Sequence, residues 1–180
     1  MLRSQLEHII RAAAGITGTP QFVIVGSQAV LGQFPQAPDE LLVSMEADVF
    51  SLRDPADSDL IDGSIGEGSP FHQTFGYYAH GVSVDTALLP DGWRHRLIDI
   101  HNQNTGGATG FCLEVHDLAV SKLVAGREKD LAFLSALLRH RLILMENMRA
   151  RLAATALTPE RRDLCMARLK RLDSQCPKSP

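Results

Sequence analysis

Phe22-Val23-Ile24-Val25 is a continuous apolar run of β-forming residues, bounded by a breaker cluster before it (15–20) and by Gly26-Ser27 after it. That pattern predicts a strand buried on both faces. Ser4-Gln5-Leu6-Glu7 has the form of a capping box and predicts a helix to about Ala14. After Gly26-Ser27, residues 28–34 alternate at helical spacing until Pro35 and Pro38, giving strand, tight turn, helix. Residues 41–52 read as a second strand. The Asp-, Gly- and Ser-rich stretch 54–70 reads as a loop with at most a short helix. Three further strands are expected at 82–88, 96–101 and 111–115. From Asp117 the period changes. Leu118, Val120, Leu123 and Val124, then Leu131, Leu134, Leu137 and Leu138, mark amphipathic helices, with Asp117 as the first cap and Gly126 as a break. Thr158-Pro159 opens another helix, and residues 177–180 form a frayed end. The pattern predicts an α/β (α+β) fold: a small mixed sheet with flanking helices over 1–115 and a helical segment over 116–176, together one compact unit.

Composition narrows the class. With 44% hydrophobic and 22% charged residues in 180, the chain is an ordinary globular one, neither disordered nor fibrous. No apolar run approaches a bilayer span, and the first residues lack a signal peptide's apolar core, so a cytoplasmic protein with no membrane partner is expected. Cys112, Cys165 and Cys176 form no Cys-x-x-Cys pair and read as free thiols. Charge is unevenly spread: residues 1–138 carry 8 basic and 17 acidic side chains, residues 139–180 carry 10 and 4. An acidic body with a basic tail suits a cation-concentrating site beside a polyanion-attracting surface; the competing explanation is a basic helical pair that only balances the body.

The candidate chemistry lies in Met45-Glu46-Ala47-Asp48-Val49. On a strand, residues two apart share a face, so Glu46 and Asp48 project together while Met45, Ala47 and Val49 turn to the core. Alone, such a pair is better explained by the solvent face of an edge strand. Joined to Gly26-Ser27, where glycine admits close backbone approach and the next helix offers N–H groups, it describes a site for Mg²⁺ or Mn²⁺ and the phosphates of a nucleotide.

Phe22-Val23-Ile24-Val25-Gly26-Ser27 and Met45-Glu46-Ala47-Asp48-Val49-Phe50 resemble the signature of the nucleotidyltransferase superfamily, the polymerase-beta-like fold. Residues 115–123 and 125–130 resemble the helical part of bacterial nucleotidyltransferase-like proteins, among them uncharacterised proteins and AbiEii-type toxins. The resemblance covers about residues 20–140. It departs from the pattern in the 18 residues between Ser27 and Glu46 and in Glu where Asp is usual. It implies transfer of a nucleoside monophosphate from an NTP to an acceptor hydroxyl, on RNA (tRNA first) or on a protein, in a chain that works as an enzyme or as a silent binding partner in a toxin–antitoxin or defence complex with an antitoxin-type partner. Glu46 and Asp48 would hold the metal. Asp85 is the candidate third carboxylate, recommended over Asp99 only by position. Lys122 and Lys129 would face the triphosphate with Arg127 beside them, and Asp130 would orient one of these cations; the alternative is a solvated helix surface.

Overall fold

Leu6, Ile9, Ile10 and Ala13 recur at helical spacing and are fully buried, and they define the inner stripe of helix α1 (Arg3–Thr17). In this computed structural model, which describes residues 1–175, α1 runs three residues past its expected end. Gly18 at φ 66° supplies the left-handed cap, and its N–H reaches Ala14 O. The start also differs from the expected capping box. Leu2 is the cap, its N–H donating to Gln5 Oε1 at 2.7 Å, and Ser4 lies inside the helix. Glu7 is buried and accepts from Arg3 Nε (3.0 Å), Asn102 Nδ2 (2.8 Å) and Asn104 Nδ2 (2.8 Å). Burial alone would raise its pKa; these hydrogen bonds and the Arg3 charge outweigh that and hold the carboxyl below its ordinary value.

Strand β1 (Gln21–Ile24) leads through Gly26 into a 3-10 turn (Ser27–Ala29) and the short helix α2 (Val30–Gln33). Strand β2 spans Glu46–Ser51 and is shorter than expected, because buried Leu41 belongs to a separate 3-10 turn (Asp39–Leu41). The polar stretch that follows holds two helices, α3 (Asp57–Ile65) and α4 (Pro70–Phe75), the second capped by Ser69. Strand β3 is Tyr78–Gly81. The strand expected at 82–88 is instead a 3-10 turn, Val84–Thr86, with Val84 exposed. Strands β4 (Ile98–Ile100) and β5 (Thr109–Cys112) complete a mixed sheet in the order β3-β2-β1-β5-β4. The pairs β1–β2 and β4–β5 are antiparallel; β1–β5 and β2–β3 are parallel. The α+β architecture is the one expected.

The chain divides into two compact units, residues 1–86 with 94–114, and residues 87–93 with the chain from Val115 onward. In the first unit, one sheet face carries Phe22, Ile24, Ala47, Val49, Ala79, Ile100 and Cys112, all without solvent exposure. α1 packs on it so closely that a Cβ on Gly110 would meet Ile10 Cδ1 at 2.4 Å, and α2 packs so that one on Gly32 would meet Cys112 Cβ at the same distance. Ala47 and Val49 face this core as expected. Met45 does not: it precedes the strand and is exposed.

The second unit holds α5 (Val115–Ala125), α6 (Glu128–Arg139), α7 (Met145–Ala153) and α8 (Pro159–Gln175). Asp117, expected as a cap, lies inside α5 with no exposure and pairs with Arg151 Nε of α7 at 3.1 Å. His116 Nε2 accepts the Leu144 N–H at 3.0 Å. Gly126, at φ 64°, breaks α5 from α6 as expected. The guanidinium of Arg168 covers it, donating to Leu123 O (2.9 Å) and Val124 O (3.2 Å). Arg162 does the same for α7, donating to Leu152 O (3.1 Å) and Thr155 O (2.8 Å). Part of the basic tail therefore satisfies helix C-termini. Cys112 and Cys165 are free and buried; Cys176 and the end expected to fray lie outside the described residues. Among the described residues no helix is long and apolar enough to cross a membrane.

Arg168→Glu removes the guanidinium donor from two carbonyls, leaving Leu123 O only the weak Cys165 thiol, and puts a negative charge at a helix C-terminus, so thermal denaturation is expected to show a loss of roughly 1–3 kcal/mol. Arg161→Glu, on the exposed first turn of α8, is expected to leave the melting temperature unchanged or slightly raised, because an acid there complements the helix N-terminus.

Candidate active site

Glu46 and Asp48 are two apart on β2 and project from the face opposite Ala47 and Val49. β3 runs parallel to β2 in the register Glu46↔Tyr78 and Asp48↔His80, which sets a hydroxyl and an imidazole beside the two carboxylates. Tyr78 Oη donates to Glu46 Oε2 at 3.0 Å. His80 Nδ1 lies 3.2 Å from Glu46 Oε1 and 3.2 Å from Asp48 Oδ1. One donor atom from each of Glu46, Asp48 and His80 falls within 4.8 Å of the others, a spacing at which three groups share one metal ion.

Gly26 closes the site from β1. Val25 N–H donates to Asp48 O at 3.1 Å, which holds the turn against β2, and an ideal Cβ on Gly26 would lie 1.9 Å from Asp48 Oδ2. The backbone there is extended, with φ −75°, so glycine is required for space and not for a left-handed conformation. Ser27 opens the 3-10 turn beside it. A cleft of about 380 Å³ is lined by Glu46, Asp62, Glu67, Tyr78, Ala79 and His80. Its wall is fixed in part by Asp62 Oδ1, which accepts the Gly81 N–H at 2.7 Å.

These groups displace one another's titration. Burial, then the hydrogen bond and charge of Glu46, push the Asp48 carboxyl up to about 6. For Glu46 burial acts upward, but the Asp48 and Tyr78 hydrogen bonds and the His80 charge outweigh it, and its carboxyl sits below the ordinary range. Burial would lower His80; contact with Asp48 and Glu46 overrides this and raises it. The Tyr78 hydroxyl is pushed up to about 12 by burial and by the charge of Glu46. The metal-free pair thus keeps a proton between its carboxylates to about pH 6, beside an imidazole favoured in its charged form. The site is built for positive charge.

Asp85 stands on the exposed turn Val84–Thr86 and is not among the clustered donors; His80, which the sequence reading missed, is. The signal was present in the alternation Tyr78-Ala79-His80, but four residues bounded by glycines carry little strand character. Asp99, the other carboxylate considered, lies exposed on β4. His72, on α4, packs at a 47° tilt against Tyr78 with ring centroids 4.6 Å apart, and its Nδ1 accepts the Gly68 N–H at 3.0 Å. In the helical unit, Asp130 is buried and pairs with both Lys122 Nζ (3.4 Å) and Arg127 Nε (2.6 Å). Lys122 is itself buried, 4.8 Å from the centroid of the Phe133 ring, while Lys129 is exposed.

A family model described as "Nucleotidyltransferase of unknown function (DUF6036)" matches residues 4–173. The chain belongs to that family. Its match spans both units, so the helices from Val115 onward are part of the nucleotidyltransferase family's own extent. The description is of the family as a whole and does not extend to AbiEii-type toxins. No curated protein and no solved structure matches the chain.

A divalent ion held at the Glu46 and Asp48 pair would need the deprotonated carboxylate, so affinity is expected to climb from pH 5 to 7 as Asp48 loses its proton near pH 6, by roughly tenfold per pH unit for each proton displaced; titration calorimetry across this range measures it. Without metal, ionising Asp48 costs stability as pH rises from about 4 to about 6, because its folded pKa lies above its unfolded one. Asp48→Asn is therefore expected to raise the metal-free melting temperature at pH 7, by the equivalent of about 1–2 kcal/mol, and a divalent ion held at this site would stabilise the unaltered protein but not the variant.

Proposed function

We propose that this nucleotidyltransferase moves a nucleoside monophosphate from an NTP to an acceptor hydroxyl, with pyrophosphate leaving, at a site where Glu46 and Asp48 hold Mg²⁺ or Mn²⁺. The observation that carries this reading is the convergence of both carboxylates, on one face of β2, against a glycine that leaves no room for a Cβ. A divalent ion bound there offsets triphosphate charge and stabilises the attacking and leaving oxygens of an in-line displacement. Glu46 is kept ionised and aimed by the Tyr78 hydroxyl, which occupies Oε2 and leaves Oε1 toward the cluster. In this reading Gly26 and Ser27, at the turn after β1 and against Asp48, would offer backbone N–H groups to the phosphates.

The net positive charge of residues 139–180 supports RNA, tRNA first, as the acceptor over a protein hydroxyl. The place of Asp85 outside the cluster supports a second reading, in which the fold binds nucleotide as a silent component of a toxin–antitoxin or defence complex with an antitoxin-type partner.

Incubation with α-labelled NTPs, Mg²⁺ or Mn²⁺ and either RNA or protein is expected to yield labelled acceptor and pyrophosphate, and Asp48→Asn to reduce the rate by roughly a hundredfold or more. NTP binding that depends on Asp48 without any pyrophosphate release would select the second reading. NTP binding indifferent to Asp48→Asn would remove both.

A further inference from the structure

His80 occupies the place beside Glu46 and Asp48 where a third carboxylate was expected. The parallel register Asp48↔His80 makes this a fixed neighbour and not the chance reach of a flexible side chain. Although the ring is half exposed, its Nδ1 points inward, 3.2 Å from an oxygen of each carboxylate. Ligands bound about 2.1 Å from one octahedral ion sit roughly 3 Å apart when adjacent, so these separations are those of neighbouring ligands on a single ion. Tyr78 holds the other oxygen of Glu46, as an outer hydrogen bond that orients a ligating carboxylate does.

Resting on the divalent-ion reading above, we propose that His80 is itself a metal ligand, and that its imidazole nitrogen makes the site select a first-row transition ion, Mn²⁺ over Mg²⁺. Mg²⁺ takes oxygen ligands and gives up water reluctantly, whereas first-row ions accept imidazole readily, and Mn²⁺ is the member that also favours carboxylate. Two carboxylates and one imidazole do not fill an octahedral shell, and two of the three, Glu46 and His80, line a cleft of about 380 Å³ that leaves room for the oxygens of a substrate. His80 is then the residue that sets which ion the enzyme uses.

The test is titration of the whole chain with Mn²⁺ alone, followed by pulsed EPR for directly coordinated ¹⁴N, and competition of the bound Mn²⁺ by Mg²⁺. The unaltered protein is expected to show ¹⁴N coupling that disappears in both His80→Asp and His80→Gln. His80→Asp, which makes an all-oxygen set, is expected to shift the Mn²⁺/Mg²⁺ preference toward Mg²⁺ by at least about fivefold. Thermal melts confirm that the variants fold, since the substitution is on the exposed side of an edge strand. Mn²⁺ binding that depends on Asp48 but lacks ¹⁴N coupling, or a preference unchanged in His80→Asp, overturns the role of His80 and leaves the divalent-ion reading standing. Absence of Mn²⁺ binding, or binding unaffected by Asp48→Asn, overturns both.

Discussion

An ideal Cβ on Gly26 would lie 1.9 Å from Asp48 Oδ2, and the missing carbon at that point ties two otherwise separate parts of the fold together. It lets the turn after β1 close on the side chain of β2, with the Val25 N–H bonded to Asp48 O. Once that approach is made, the alternation of β2 leaves no freedom: Ala47 and Val49 must go into the core, and Glu46 and Asp48 must go out together. A one-residue slip would bury both carboxylates and expose the core. The glycine and the carboxylate pair are thus one constraint expressed on two strands.

That constraint creates an electrostatic problem that β3 answers. Two carboxylates on one face of a half-buried strand repel, and the metal-free site relieves this by retaining a proton on Asp48 and by placing His80 and Tyr78 against the pair. The relief comes from a strand that shares its register with β2 and belongs to the sheet's edge. Bridging the parallel pair requires a crossover, and α3 and α4 supply it, which is why the intervening polar stretch holds helices despite its Asp, Gly and Ser content.

The strands with dense apolar sequence were legible in the residues alone, as were the helical periods after Asp117 and the break at Gly126. Within the site, Gly26-Ser27 and Glu46-x-Asp48 were legible because turn chemistry and strand alternation are local. What the sequence hid depends on partners far along the chain. β3 is short and is defined by pairing with β2, so His80 and Tyr78 went unseen while Asp85 was assigned a strand it does not have. Ser4 and Glu7 matched a local capping motif, but Glu7 is claimed by Asn102 and Asn104. Likewise, formal charge counted along the tail cannot reveal that Arg162 and Arg168 are spent on carbonyls.

The Glu7 arrangement has a temporal side. Its two amide partners lie 95 and 97 positions later in the chain, so α1 is synthesised well before the groups that satisfy its buried acid. Until then Glu7 has only Arg3, four residues away on the same helix, and docking of α1 would bury an acid with most of its hydrogen bonds unmade. Closing so long a loop is slow and entropically costly. Full satisfaction of the Glu7 carboxylate therefore depends on chain that folds in from the neighbourhood of Asn102 and Asn104.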